Sequence, residues 1–473
     1  MKKKFMLMLL LFALMVGLSP RSITQAQTTN TQGEQFEQGK YDLQAEFPFG
    51  QNWNRNSPYA GTEVNKIKWE YKLYYKDVTE FPKSSHWPMF AAQPAIGRDG
   101  TIYITNLTAV TSTNKKLHAL NPDGSVKWKK EIMGGRSSTP VIAEDGTIYV
   151  AADNLIAFNP DGSIKWQTKG SHIIDPPVLD RDGTIYVRNV GGKRLEAYNP
   201  DGSKKWSSNE FISGSYGSIL ISKDGTIYTL DVDLGNKYLY AHDKNGKELW
   251  HKYVRGEYDG KGFAIGINNE ILVNTQDKLY VFDKNGNIVH QWKEEKEEGL
   301  LSAPTVSSTD GTIYVGGKGY IYAYNPDYSL KWKYPTKGSV NDAPVIDKNG
   351  VIYVKTTSEL YALNPDGTLK WKMPKSTTYF ECFGTNDSIT IGKDGTLYSL
   401  GGYTSSNFDD SYTSLIAIGD DYTDNVCTKE STYMEVLKSL RAKSKKAKLT
   451  EDEKKEARDI LKELSDDLDK KDN

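Results

Sequence analysis

Two aromatic stretches and a scatter of ionisable residues are where this 473-residue chain could do chemistry. Residues 73–90 read LYYKDVTEFPKSSHWPMF and residues 374–386 read PKSTTYFECFGTN. Together they offer Tyr74, Tyr75, Phe81, His86, Trp87, Tyr379 and Phe380. Flat rings on connecting segments stack on sugar rings or anchor a peptide. Arg136, His172, Asp175, Arg255, Tyr258 and Asp342 add charge and hydrogen bonding. The chain has no G-x-S-x-G elbow, no Walker loop and no H-E-x-x-H pair. Its six histidines, His86, His118, His172, His242, His251 and His290, are scattered. Asp231-Val232-Asp233 comes nearest to a calcium loop but lacks the further oxygens such a loop needs.

What holds these residues in place is a repeat. D-G-T-I-Y starts at Asp99, Asp145, Asp182, Asp224 and Asp310, and D-G-T-L-Y at Asp394, with weaker copies at Asn269 and Asn349. Trp128, Trp166, Trp206, Trp250, Trp292, Trp332 and Trp371 follow at spacings of 38, 40, 44, 42, 40 and 39 residues. A period near 40 means one supersecondary unit per copy, stacked on its neighbours. In the copy at 138–168, Asp145-Gly146, Asp153-Asn154 and Asn159-Pro160-Asp161-Gly162 are turns, because these residues tolerate or preset the φ angles that turns require. Between them lie four short alternating segments. Four antiparallel strands per 40 residues is a propeller blade.

Eight turn motifs predict eight blades, yet only seven Trp strands follow them. The eighth lies upstream, at Val64–Tyr71, which repeats the I-K-W pattern without three strands before it. The expectation is an all-β, eight-bladed β-propeller over 64–420. Blade 8, Phe383–Ile418, is completed by the N-terminal strand, which hides the edge an open sheet would leave. The repeat Trp rings should pack between blades. The two aromatic stretches flank blades 8 and 1 and should be neighbours. Asp175, Asp342 and the other ionisable candidates stand near inner-strand starts, facing the axis. His118 and His242 fall in third strands, where packing is their expected role.

The unit aPvi-DGTIY-v---L-AlNPDG-ikW resembles the pyrroloquinoline-quinone-like (PQQ-like) β-propeller repeat. That superfamily holds quinoprotein alcohol dehydrogenases and the propeller lipoprotein of outer-membrane protein assembly. The resemblance covers residues 64–418 and is specific for fold rather than function. It implies PQQ with calcium as the alternative to having no cofactor. The alcohol-oxidising members carry adjacent cysteines and a Thr-Gly turn before the Trp. Here the turn is Pro-Asp-Gly or Lys-Asn-Gly, and the only cysteines, Cys382 and Cys427, are far apart in sequence. They form at most one bridge, pinning the tail to blade 8. Likeness to propeller polysaccharide lyases would pair His172 with Tyr216 or Tyr258.

The ends differ in character. Lys2, Lys3 and Lys4 precede an apolar run from Phe5 to Leu18, too short for a span of about 20 residues. Thr24-Gln25-Ala26 offers a cleavage site, which makes 1–26 an export signal. No cysteine follows to carry a lipid. Residues 27–63 form a leader and linker. Residues 428–473 are charged, with a capping box at Thr450 and Glu453 and an apolar stripe at Ala457, Ile460, Leu461, Leu464 and Leu468. A short C-terminal helical hairpin is expected there. Sixty basic and 61 acidic residues give no general pull toward nucleic acid. The sequence thus points to a secreted or cell-envelope, non-catalytic propeller that binds a protein or a cell-surface glycan. It has no transmembrane segment after signal cleavage. The alternative is a PQQ-dependent oxidoreductase or a propeller-type lyase. An acid, amide and arginine set converging near the axis with one open face would favour the enzyme.

Overall fold

The computed structural model describes residues 55–74, 93–106, 115–132, 138–170, 173, 175–189, 191–208, 216–233, 236–255, 262–275, 278–293, 299–356, 358–374, 389–403 and 412–419. Among them there is no helix. Residues 1–54, with the export signal and most of the leader and linker, lie outside the described residues, as do both cysteines and the C-terminal tail.

Among the described residues, thirty-two strands form eight sheets of four. In blades 1 to 7 the strands follow chain order, and each antiparallel neighbour is the next strand along. Blade 1, for example, is Ala95–Ile96, Ile102–Thr105, Lys116–Leu120 and Val126–Glu131. First strands of blades 1 and 2, and of blades 4, 5 and 6, approach one another, which sets the first strands around the axis. Blade 8 consists of Thr390–Ile391, Leu397–Tyr403 and Tyr412–Ile418, with Ile67–Tyr74 pairing outermost on Tyr412–Ile418. The N-terminal strand therefore closes the ring. It runs three residues past Tyr71, so Tyr74 belongs to the sheet and not to the connection after it.

The period-two pattern explains the burial. Second strands are buried on both faces, as in Ile148–Ala152 and Ile313–Gly316, because each blade is sandwiched between two others. Fourth strands are mostly exposed, as in Val126–Glu131. Along most of them the half-buried residue is the Trp. Each ring lies against the Tyr of its own blade's D-G-T-I-Y strand, with centroids 5.7 Å apart for Tyr149–Trp166 and 5.9 Å for Tyr353–Trp371. Its indole N–H donates to a backbone carbonyl in the next blade. Trp69 reaches Pro122 at 2.9 Å, Trp166 reaches Pro200 at 2.8 Å, and Trp371 reaches Thr62 at 3.2 Å. The tryptophans are thus an inter-blade belt, as expected.

Blade 5 departs from the rule. Leu272 replaces the Tyr, and Trp292 instead meets Tyr324 and Tyr328 of blade 6 at 5.1 and 5.4 Å. In six other blades the Trp sits on a turn glycine. Gly202 has φ +86°, and a Cβ there would lie 2.6 Å from the Trp166 ring. Both the backbone angle and the space demand glycine. Gly202→Ala should cost about 1–3 kcal/mol, read as a lowered urea midpoint with unchanged slope.

Candidate functional site: the loop-face rim and the axial edge

Strand direction divides the ring into two faces. Turns between first and second strands and between third and fourth strands share one face, the turn face. The connections between second and third strands, and from one blade's last strand to the next blade's first, share the other, the loop face. The turn face is structural. In five blades an Asp accepts from the Thr two residues on, and a fourth-strand Lys bridges the two; Lys165 Nζ lies 3.1 Å from Asp145 and 2.9 Å from Thr147.

At the loop-face end the fourth residue of each second strand alternates in chemistry. Blades 1, 3, 5 and 7 carry Thr105, Arg188, Asn274 and Lys355, while blades 2, 4, 6 and 8 carry Ala151, Leu230, Gly316 and Leu400. Every polar member reaches into the following blade. Thr105 donates to Ser138 O at 2.9 Å, Asn274 to Ser302 O at 2.6 Å and Lys355 to Leu400 O at 3.5 Å. Arg188 bonds Asp231 of blade 4 and also Asp175, at 2.5 Å, just before its own blade's first strand. The small partners leave room: Ala151 N and Gly316 N donate to Ser138 and Ser302 hydroxyls at 3.0 and 2.7 Å.

Asp175 and Asp342 occupy matching places, three residues before the first strands Val178–Leu179 and Val345–Ile346. The structure brings both to the rim, as their positions suggested. They are used differently. Asp175 is held by Arg188, whose side chain is 1% exposed. Asp342 stands 3.9 Å from Lys355, and its negative charge is also felt by Arg55. Burial lowers the Arg55 guanidinium to about 10, with Asp342 working against that drop.

Arg55 belongs to a segment the sequence left as a linker. Ile346 N donates to Arg55 O at 2.8 Å and Ser57 N to Ile346 O at 2.6 Å, pairing residues 55–57 in parallel with blade 7's first strand. The segment therefore lies on the axial edge of that sheet. Asn56 joins blades 6 and 7, donating to Val306 O at 2.6 Å and accepting from Ser308 N at 3.1 Å. The chain then runs toward the turn face, where Lys348 N donates to Tyr59 O at 3.1 Å and Gly61 N to Asp347 at 2.9 Å. Thr62 takes the Trp371 indole, and the closing strand begins at Ile67.

The other candidates divide simply. Arg255 is exposed and follows the fourth strand of blade 4. Tyr74 ends the closing strand. Tyr75, Phe81, His86, Trp87, Arg136, His172, Tyr258 and Tyr379 lie outside the described residues. His118 and His242 are buried in third strands; burial pushes His118 down to about 3, with Lys129 and Lys116 adding to the drop, and lowers His242 too. Arg188 and Lys355 were missed, because each sits in a strand, and Asp231, noted only as part of a would-be calcium loop, accepts from Arg188 instead. The available signal was a charge at a repeat position where other copies carry Ala, Leu or Gly.

These blades, Trp belt and closing strand define a β-propeller of the PQQ-like repeat class. More closely, the chain belongs to the family of outer membrane protein assembly factor BamB, whose family model matches residues 58–193 and 235–402. A curated relative, the uncharacterized protein YxaL of Bacillus subtilis, is 33% identical over 114 residues, and that match spans 24% of either chain. Among solved structures, BamB from Moraxella catarrhalis is similar at 15% identity, covering 74% of this chain and 97% of that one, with a TM-score of 0.48. A streptogramin B lyase is similar at 13% identity over 74% of this chain and 97% of that one, with a TM-score of 0.41.

Proposed function

We propose that this chain is a non-catalytic scaffold of the cell surface or extracellular space, binding a protein or a glycan through its loop face. The observation that carries the reading is how the axial charges are spent. An acid–arginine set does converge, but its face is closed: Arg188 is 1% and Asp231 0% exposed, and each is committed to joining blades 3 and 4. Such a set stiffens the ring, and the groups that would polarise a substrate are engaged with one another. The axial edge of blade 7 is taken by the chain's own residues 55–57. A calcium-bound quinone would need carboxylates and an amide that face it, and among the described residues Asp175 and Asp231 are instead held by Arg188.

Family membership supports a role in assembling other proteins, and the aromatic stretches 73–90 and 374–386 supply candidate contacts. Thermal unfolding separates this reading from the enzyme alternative. At 100 times its dissociation constant a ligand adds about 2.7 kcal/mol, which for a propeller of about 350 residues raises Tm by about 4 °C. Cell-wall glycans, or a partner recovered by pull-down and then purified, should produce that shift. A shift with PQQ and calcium instead would overturn the reading.

A further inference from the structure

We propose that the axial edge of blade 3 is a second strand-docking site, which takes an extended segment of a partner protein. The inference deepens the scaffold reading and rests on it. Its template is blade 7, where residues 55–61 are seated through three kinds of contact: backbone pairing on Ile346, the Asn56 amide between blades 6 and 7, and the Gly61 amide on Asp347.

Each receiving group has a counterpart half a ring away. Val306 and Ser308 correspond to Ile142 and Glu144 of blade 2, Ile346 to Leu179, and Asp342 to Asp175. Asp347 corresponds to Asp180. At that position the other six blades carry Gly97, Ala143, Ser222, Gly266, Ser307 and Gly392, so only these two blades present a carboxylate. The two carboxylates share one contact, a Tyr of their own blade, while Oδ1 of Asp347 accepts from Asn349 N and Val351 N and Oδ1 of Asp180 accepts from Arg181 N. Tyr186 reaches Asp180 Oδ2 at 3.4 Å, and Tyr353 reaches Asp347 Oδ2 at 3.5 Å. In blade 7 that same oxygen also accepts the Gly61 amide at 2.9 Å. Among the described residues, no segment pairs with the axial edge of Val178–Leu179. Those two residues are each 8% exposed, against 5% and 2% for Val345 and Ile346 beneath the docked segment.

The differences state what the partner should look like. Arg188 holds Asp175, so blade 3 has no call for a basic first residue like Arg55. An amide side chain one residue on can bridge Ile142 O and Glu144 N. Five residues later a glycine is needed, because a Cβ at Gly61 would stand 2.1 Å from the Tyr353 hydroxyl, and Tyr186 holds the same place in blade 3. Strand addition of this kind takes its affinity from the main chain and its specificity from such side-chain places. The added strand runs parallel to Val178–Leu179, from the loop face to the turn face.

The test is a labelled peptide of sequence ANSPYAG, the chain's own 55–61 with alanine for arginine, titrated into the full chain. Saturable one-site binding is expected, weakened at least tenfold by Asp180→Ala. Hydrogen exchange on the unaltered protein supplies a second readout that does not depend on how the variants fold: the peptide should slow exchange at residues 178–180. Absence of saturable binding would overturn the site, as would binding indifferent to Asp180→Ala, or protection at 345–347 instead of 178–180. Any of these, beside an intact thermal response to a partner or glycan, would sink this site and leave the scaffold reading standing.

Discussion

Replacing Arg188 with methionine should destabilise the propeller by about 3–5 kcal/mol, since removing one member of a buried ion set leaves the others charged and uncompensated. Asp231 is fully buried and Asp175 nearly so, so neither carboxylate regains much water when the guanidinium goes. The loss should fall on the junction of blades 3 and 4, because Arg188 lies on the same face of its strand as Tyr186 and meets Asp231 across the cluster formed by Tyr186, Ile219 and Ile227. Urea unfolding would report it as a lowered midpoint. The double variant Arg188→Met, Asp231→Leu should recover most of the loss, because replacing a buried ion pair by apolar groups of similar volume is often neutral. A loss below about 1 kcal/mol for the single variant would mean that water reaches the set and screens it.

Acid should act first at ring closure, through His118. Its Nδ1 lies 3.0 Å from the Tyr71 hydroxyl, which joins blade 1 to the closing strand of blade 8. Burial, with Lys129 and Lys116, holds the folded imidazole down to about 3, against an ordinary value of 6.5. Between those values the unfolded chain binds a proton that the folded chain refuses, so stability is full above pH 6.5 and falls as pH drops toward 3. At pH 4 the loss from this one group is about 3 kcal/mol. His242, also lowered by burial, acts in the same direction. Carboxylates come in later: burial works against ionised Asp310, but Ser307, Thr312 and Lys331 outweigh it and hold the group at about 2, so its stabilisation is lost below pH 3.8. Unfolding free energies for His118→Gln, compared with the unaltered chain at a series of pH values, should show a shallower decline between pH 6.5 and 4. Equal slopes would remove His118 from the account.

Much of the ring was legible because its determinants are local. Asp145-Gly146 and Asn159-Pro160-Asp161-Gly162 select their own backbone angles, and alternation across four to seven residues sets which side chains face a neighbouring blade. The closing strand was legible for the same reason: I-K-W at residues 67–69 repeats a pattern already assigned a place. Even its end was read three residues short, since nothing in L-Y-Y distinguishes strand from connection. The rim was harder. Asp175 and Asp342 could be placed by position, but not their partners. Arg188 looks like any exposed strand residue until the following blade covers it.

The sequence by itself determined the number of blades, the strand order, the turns and the Trp belt, all of which depend on residues close in the chain and repeated eight times. Only the tertiary structure decided which charges meet and where the N-terminal segment runs. Arg188 finds Asp231 from 43 residues away, and Asn56 finds Val306 from 250. Each of these contacts occurs once, so it leaves no period in the sequence. It exists only because closing the ring brings the two groups into one low-dielectric space, where a charge or amide must be matched.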